Sequence, residues 1–310
     1  MTTHHLEASP GTAVDHYDPE HAPVLTVRPG DRIVVGSLDA SGHLERQRTP
    51  GEVRPKLLPG GRGHCLTGPI AVRGAGPGDV LAVRFESLTP GDWGWTVAGG
   101  RDTPVARRLG LVDVDPAWLL WDIDAEAGTA TESRGGSVRT APFLGVVGVA
   151  PAEPGQHTTT PPRPGSAGNV DCKELVAGST LYVPVQVPEA LLYLGDGHAA
   201  QGDGESGGTA VECSMTTRVR IDVVRDRPVP GVHAETPAGR ITFGFSTDLD
   251  EATGDALDAM VDWLALLLGS DRATALAWSS AVVDLRVTQI ANQTWGVHAV
   301  LPAGALTLPR

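Results

Sequence analysis

The chain has 310 residues, 41% of them hydrophobic and 20% charged, which fits a folded globule able to bury a core without disulfides and excludes a disordered polymer. Its formal net charge of -13, with Lys56 and Lys173 as the only lysines, argues against nucleic-acid binding, because phosphate backbones would be repelled. Three cysteines, an odd number in a long chain, point to free thiols in a reducing compartment. The longest apolar stretch, Trp263–Leu268, is too short to span a bilayer. The first residues lack the basic start and apolar run of a secretory signal, so a cytoplasmic location with no membrane partner is expected.

The 39 glycines and 25 prolines are spread among short runs rich in Val, Leu, Ile and Thr, the pattern of many short strands joined by tight turns. Residues 1–22 are polar and aperiodic and read as an N-terminal arm, either loose or an edge segment. Three turn-and-strand units follow. Pro29-Gly30-Asp31 precedes Arg32–Val35, Pro77-Gly78-Asp79 precedes Val80–Val83, and Ala177-Gly178-Ser179 precedes Thr180–Val183. Such repetition suggests a barrel or sandwich. The Pro/Gly/Thr stretch at 150–169 is long for a connection and runs straight into acidic residues, which favours a functional loop over a plain linker.

Only the last third carries helical spacing. Leu257, Met260, Val261, Leu264 and Leu268 recur on one face, with Thr247 and Asp248 as start signals and Gly269 as the stop. Ser270-Asp271 caps a second helix through Ala273, Leu276, Ala277 and Val282, and Asp284–Ile290 then alternates like a strand. Met260, Trp263 and Trp278 are assigned to the core. The expected fold class is α+β, predominantly β, with sandwich- or barrel-like sheets and a C-terminal helix pair packed on a sheet as β/β/α layers. Residues 23–310 are expected to form one unit, with a β-rich half (23–150), a central region (151–225) and an α+β part (226–310).

The densest polar cluster is Gly195-Asp196-Gly197-His198 through Gly202-Asp203-Gly204-Glu205, which follows an apolar strand at Ala190–Leu194. Asp196 and His198 are two apart, so in extended geometry a carboxylate and an imidazole share one face and can ligate one metal ion. Asn169 and Asp171 end the long loop upstream, and Glu212 lies in a strand-like run downstream. The sharper reading is a metal bound by Asp171, His198 and Glu212, with Asp196 as a fourth ligand or an orienting base. The plainer one is a glycine-rich surface turn carrying solvated acids. Cys65, Cys172 and Cys213 each follow a candidate residue, and on strands such neighbours point to the opposite face, so they are expected to back the site. Gly204-Glu205-Ser206-Gly207-Gly208 matches the nucleophile elbow in letters, but strand-like sequence follows Ser206 where the elbow needs a helix.

Several blocks, in order, resemble the acetamidase/formamidase family. They are His64-Cys65-Leu66-Thr67-Gly68-Pro69-Ile70 with Gly74–Leu81, Pro142–Pro151, Gly168-Asn169-Val170-Asp171, Gly195–Glu205 and Gly208–Glu212. Val170 stands where the family usually has Met, Ala167 where it has Gly, and Cys65 where it has Pro. These departures bear on substrate range.

The resemblance implies hydrolysis of a small carboxamide to carboxylate and ammonia, a mixed β/α fold and a homodimer or larger homo-oligomer. It also supports a divalent metal at the acidic cluster, with zinc placed first and calcium or manganese as alternatives. An amide nitrogen is a poor leaving group, so an acid must protonate it, and Asp196, His64 or Glu205 could serve. Asn169 or Gln201 could hydrogen-bond the amide. The rival readings are a serine hydrolase using Ser206 and a non-catalytic metal-binding β-domain.

Overall fold

The computed structural model of the chain describes residues 1–225 and 229–307. Two long antiparallel strands, Val80–Ala98 and Glu212–Val224, pair along the whole of the second. The second alternates as a half-buried strand should: Met215, Thr217, Val219 and Ile221 point inward while Thr216 and Arg218 face solvent. Its other edge is divided. Met215–Arg220 pair with Arg32–Ser37, whereas Glu212 and Cys213 pair with His198 and Gly197. At this fork the strand Leu192–His198 enters, flanked by Phe143–Val149 and Leu66–Val72. All three are buried along their whole length, so none shows the polar alternation of a half-buried strand, and Asp196 and His198 enter the interior on the first of them.

Thr180–Pro184 joins this body to the C-terminal layer, pairing with Val80–Arg84 on one side and His233–Glu235 on the other. The sheet continues through His233–Thr236, Gly239–Ser246, Trp295–Pro302 and Asp284–Gln289. The helices Leu249–Leu268 and Arg272–Val282 form with the expected caps. Asp248 accepts from the Asp250 and Glu251 amides, Gly269 closes the first helix in left-handed geometry, and Asp271 accepts from the Thr274 amide. The chain is thus mostly strand, with a helix pair on a sheet, as its sequence indicates. Trp278 is the exception. It is 44% exposed, and Leu276 is exposed with it, because the second helix packs mainly on the first and buries little beyond Ala275 and Ser279.

The N-terminal segment is an edge strand, not a loose arm. Thr3–Glu7 run parallel to Arg32–Ser37, Ala13–Val14 pair with Leu66 and Thr67, and Tyr17 is fully buried. Asp31 fastens it, accepting from the Thr2 amide at 2.7 Å and the Arg28 amide at 3.1 Å. The long loop is tied down as well, through His157–Thr158 against His16–Tyr17.

Two outcomes test this packing. Gly244 lies under the first helix, where a Cβ would stand 1.9 Å from the Ala252 carbonyl oxygen, whereas one at Gly254 on the outer face of the same helix would meet nothing within 4 Å. Gly244→Ala should therefore destabilise the protein by about 1–3 kcal/mol through overpacking. Gly254→Ala should stabilise it by up to about 1 kcal/mol, and urea unfolding of the pair checks the contrast. The backbone hydrogen bonds to Asp31 hold its carboxyl at about 2, below its ordinary 3.8. A depressed carboxyl stabilises the folded state above its unfolded value and loses that contribution as pH falls through the folded one. The hydrogen-exchange protection factors of the His4–Leu6 amides should fall as pH drops from 3.8 towards 2. In Asp31→Asn they should already be lowered at neutral pH.

Candidate active site

The strand Leu192–His198 does not stop at the apolar run; it begins at Leu192, after three left-handed residues (Glu189, Ala190 and Leu191), and carries Asp196 and His198 into the interior. The glycine-rich surface turn is thereby excluded for these two residues, which are 2% and 1% exposed. His198 lies directly across from Glu212 in the antiparallel register, so their side chains meet. His198 Nε2 is 3.3 Å from Asp196 Oδ1 and 3.4 Å from Glu212 Oε1. Asp171, at the end of the long loop, and Glu205, beyond the glycines, complete the group, with Asp171, His198 and Glu205 presenting ligand atoms within 4.8 Å of one another.

Backbone conformation makes this convergence possible. Asp171, Asp196 and Glu205 have φ values of 51°, 61° and 42°, in the left-handed region that side-chain-bearing residues avoid. Three of the four acids thus sit at conformations that cost roughly 1–3 kcal/mol each and persist where the surroundings enforce them. Gly145 supplies the floor. A Cβ there would lie 2.5 Å from Asp196 Oδ2, 2.6 Å from Asp171 Oδ1 and 2.9 Å from His198 Cε1, so no other residue leaves room for the three groups.

Burial pushes the carboxyls of Asp171 and Glu205 well above the usual range, and that of Glu212 to about 7. Burial opposes ionisation of Asp196 too, yet the His198 and His64 imidazoles overcome it and hold that carboxyl low. His198 responds in kind: burial alone would neutralise it, but Glu212 and Asp196 raise it well above the ordinary range. Both oxygens of Asp171 and Oε2 of Glu212 are buried without a hydrogen-bond donor. Buried acceptors are normally satisfied, so oxygens left open on one point fit a bound cation. Several carboxylates with one imidazole suit a divalent ion of the zinc, manganese or calcium kind.

The acids form the base of a cavity of about 320 Å³ lined also by His64, Asn169, Thr160, Trp95 and Cys65, with Lys56, Arg62 and Arg101 among its outer residues. His64 Nε2 is 3.8 Å from Asp196 Oδ2, and its Nδ1 is 3.1 Å from the Thr159 hydroxyl. Asn169 donates its amide to the Thr160 carbonyl and leaves Oδ1 buried and without a partner.

Gln201 is placed differently from its expected role against substrate. Its Nε2 donates to the Asp171 carbonyl at 2.7 Å, which turns Oε1 to His198 Nδ1 at 2.9 Å. Nδ1 must therefore donate, and Nε2 is aimed at the acids. Gln201 thus orients the His198 ring and ties it to the Asp171 backbone.

The cysteines divide. Cys213 is buried behind the site and Cys172 turns to Glu174, but Cys65 lines the cavity, with burial raising its thiol to about 12. Ser206 is exposed in a turn and lines a neighbouring cavity with Val97, Leu109, Leu111 and Ile290, a lining that holds no histidine or acid. Sequence reasoning missed the role of Gly145, which sits in an apolar run with nothing to mark it, and the closeness of Trp95 and Thr160.

Known proteins resemble this chain in sequence and fold. The profile of the acetamidase/formamidase family matches residues 2–155 and 152–237. The acetamidase of Bacillus halodurans superposes with a TM-score of 0.84 at 26% identity, covering 96% of this chain and 97% of its own. The acetamidase of Yersinia enterocolitica gives 0.81 at 28% identity, covering 97% and 92%. The formamidase of Methylophilus methylotrophus is 25% identical over 268 residues, a match spanning 70% of this chain and 65% of that relative. The chain therefore belongs to the acetamidase/formamidase family and is an amide hydrolase.

Proposed function

We propose that this enzyme hydrolyses a small carboxamide, of the formamide or acetamide kind, to carboxylate and ammonia, with a divalent metal ion held by Asp171, His198 and Glu212 and with Asp196 beside them. The observation that carries this reading is the set of buried carboxylate oxygens left without donors at the base of the cavity. The imidazole in the set favours zinc over calcium, which takes oxygen ligands. When bound, such an ion supplies Lewis acidity, lowering the pKa of a coordinated water to about 7 and polarising the amide carbonyl.

The chain's own groups supply the rest. Asn169 Oδ1 is an acceptor held in place by the bond from Nδ2 to Thr160, and it suits an N–H of the substrate amide, which would otherwise enter the cavity unsatisfied. His64 is the least committed of the three candidate acids. It borders the cavity with its side chain 20% exposed, touches Asp196 only at 3.8 Å, and can take a proton from solvent and deliver it to the departing nitrogen. Asp196 orients that ring and the His198 ring from between them. Glu205, enclosed beside Asp171, shapes the ion's surroundings.

The sequence-based assignment to a cytoplasmic homodimer or larger homo-oligomer stays part of this reading. No helix among the described residues is long and apolar enough to cross a membrane, and Leu109, Leu111 and Val114 expose apolar surface in one segment that a second copy would cover. Light scattering on the purified protein measures the mass directly.

Ammonia release from short amides should stop on chelation and return with a divalent ion. Activity indifferent to chelator and destroyed by a serine-directed phosphonate would instead make Ser206 the nucleophile, and Ser206→Ala is expected to keep turnover. His198→Ala and Glu212→Ala should each lose metal and turnover together. Gln201→Ala should weaken metal binding about 10–100-fold, the usual effect of removing a group that orients a ligand. Asp203 pairs with Lys173 at 3.0 Å outside the cluster, so Asp203→Asn should keep both properties. Loss of metal in Asp203→Asn with retention in His198→Ala would overturn the ligand assignment.

A further inference from the structure

A second buried group of ligating side chains lies apart from the acidic cluster and shares no residue with it: Cys172, Glu174 and His298. Cys172 and Glu174 stand in the turn after Asp171, and His298 comes from the C-terminal strand Trp295–Pro302, so the group joins two distant parts of the chain. Cys172 and His298 are fully buried, and Glu174 is 8% exposed. The Cys172 thiol is 3.3 Å from Glu174 Oε2, and His298 Nε2 is 3.5 Å from the same oxygen. The second distance is long for an N–H···O hydrogen bond, and Nε2 has no hydrogen-bond partner although its ring is sealed from solvent.

Both distances match a different geometry. With ligand bonds of about 2.0–2.3 Å, the edges of a tetrahedral zinc site measure roughly 3.3–3.8 Å. The outer contacts are also those of a metal site. The Thr288 hydroxyl holds His298 Nδ1 at 2.7 Å, which fixes the ring with Nε2 inward, and Arg286 takes Glu174 Oε1 at 3.0 Å, which leaves Oε2 for the centre. We infer that Cys172, Glu174 and His298 form a second metal site, taking a borderline-soft divalent ion such as zinc, with one position left for water. Binding displaces the thiol proton to solvent and makes the sulfur a thiolate ligand. The bound ion clamps the segment that carries Asp171 to the C-terminal layer. This assignment does not depend on the proposed catalysis.

Cobalt(II) tests it, because a thiolate on cobalt gives a charge-transfer absorption in the near ultraviolet that carboxylate and imidazole ligands do not. The full-length protein, stripped with chelator and titrated with cobalt(II), is expected to show that band at saturation of one equivalent. The band should persist in His198→Ala, disappear in Cys172→Ser, and fall with loss of one equivalent in His298→Gln. Chelation should also lower the Tm of His198→Ala, which retains only this site. A folded wild-type protein without the band overturns the inference, whatever the variants do. So does a band that survives Cys172→Ser, since it would then arise from Cys65 or Cys213.

Discussion

Burying Asp171, Asp196, Glu205 and Glu212 around the imidazole of His198, with His64 beside Asp196, places up to four negative charges against at most two positive ones where little of each acid reaches solvent. No lysine or arginine pairs with any of the four among the described residues. Each carboxylate in such surroundings must take up a proton, find a donor or bind a cation, because an isolated buried charge costs several kcal/mol. The protein distributes these outcomes unequally. Asp196 keeps its charge against two imidazoles, while burial drives Asp171 and Glu205 towards the protonated form. The divalent ion of the proposed function would resolve the same conflict with fewer protonated acids. Left-handed backbone at three of them, a glycine floor and a glutamine wired to the central imidazole all serve that one convergence.

The fork in the sheet is the large-scale expression of the same constraint. A strand paired regularly on both edges presents a flat surface, which cannot enclose a group from several directions. Where Glu212–Val224 changes partner from Arg32–Ser37 to Leu192–His198, two strand ends meet, and Glu212 and His198 face each other at the junction. Ala210 then donates its backbone amide to Glu212 Oε1, fixing which oxygen turns inward. The site is therefore built on strand ends whose side chains are locked, while loops contribute Asp171 and Glu205.

Much of this was legible in sequence, and the limits have physical causes. The helix pair carried its caps in Asp248, Gly269 and Asp271, because capping is local chemistry. Asp171, Asp196, His198, Glu205 and Glu212 stood out as acids and an imidazole among glycines in segments otherwise apolar, which is unusual enough to mark a site. Trp278 misled, since helical spacing gives a buried face without saying whether it meets a sheet or only another helix. Residues 1–22 hid their pairing because an edge strand held by one carboxylate needs no apolar alternation. Gln201 looked like a substrate contact because residue type reports what a side chain can bond, and only geometry shows that it bridges the His198 ring and the Asp171 carbonyl. Gly145 had no signal at all: its role is the space it leaves empty.

The C-terminal layer reaches the site through backbone. Gly204 donates to the Thr288 carbonyl and accepts from the Ile290 amide, bridging beside Gln289, so the turn carrying Glu205 is pinned to the strand Asp284–Gln289. Arg286 from the same strand holds Glu174, three residues beyond Asp171. Asp171 and Glu205 occupy left-handed backbone, which relaxes unless neighbouring elements oppose it. The opposition comes from a layer whose own rigidity depends on the helix Leu249–Leu268 packing through Met260 and Leu264. Loosening that helix face should thus release Asp171 and Glu205 while Asp196, His198 and Glu212, held by the inner strands, stay in register.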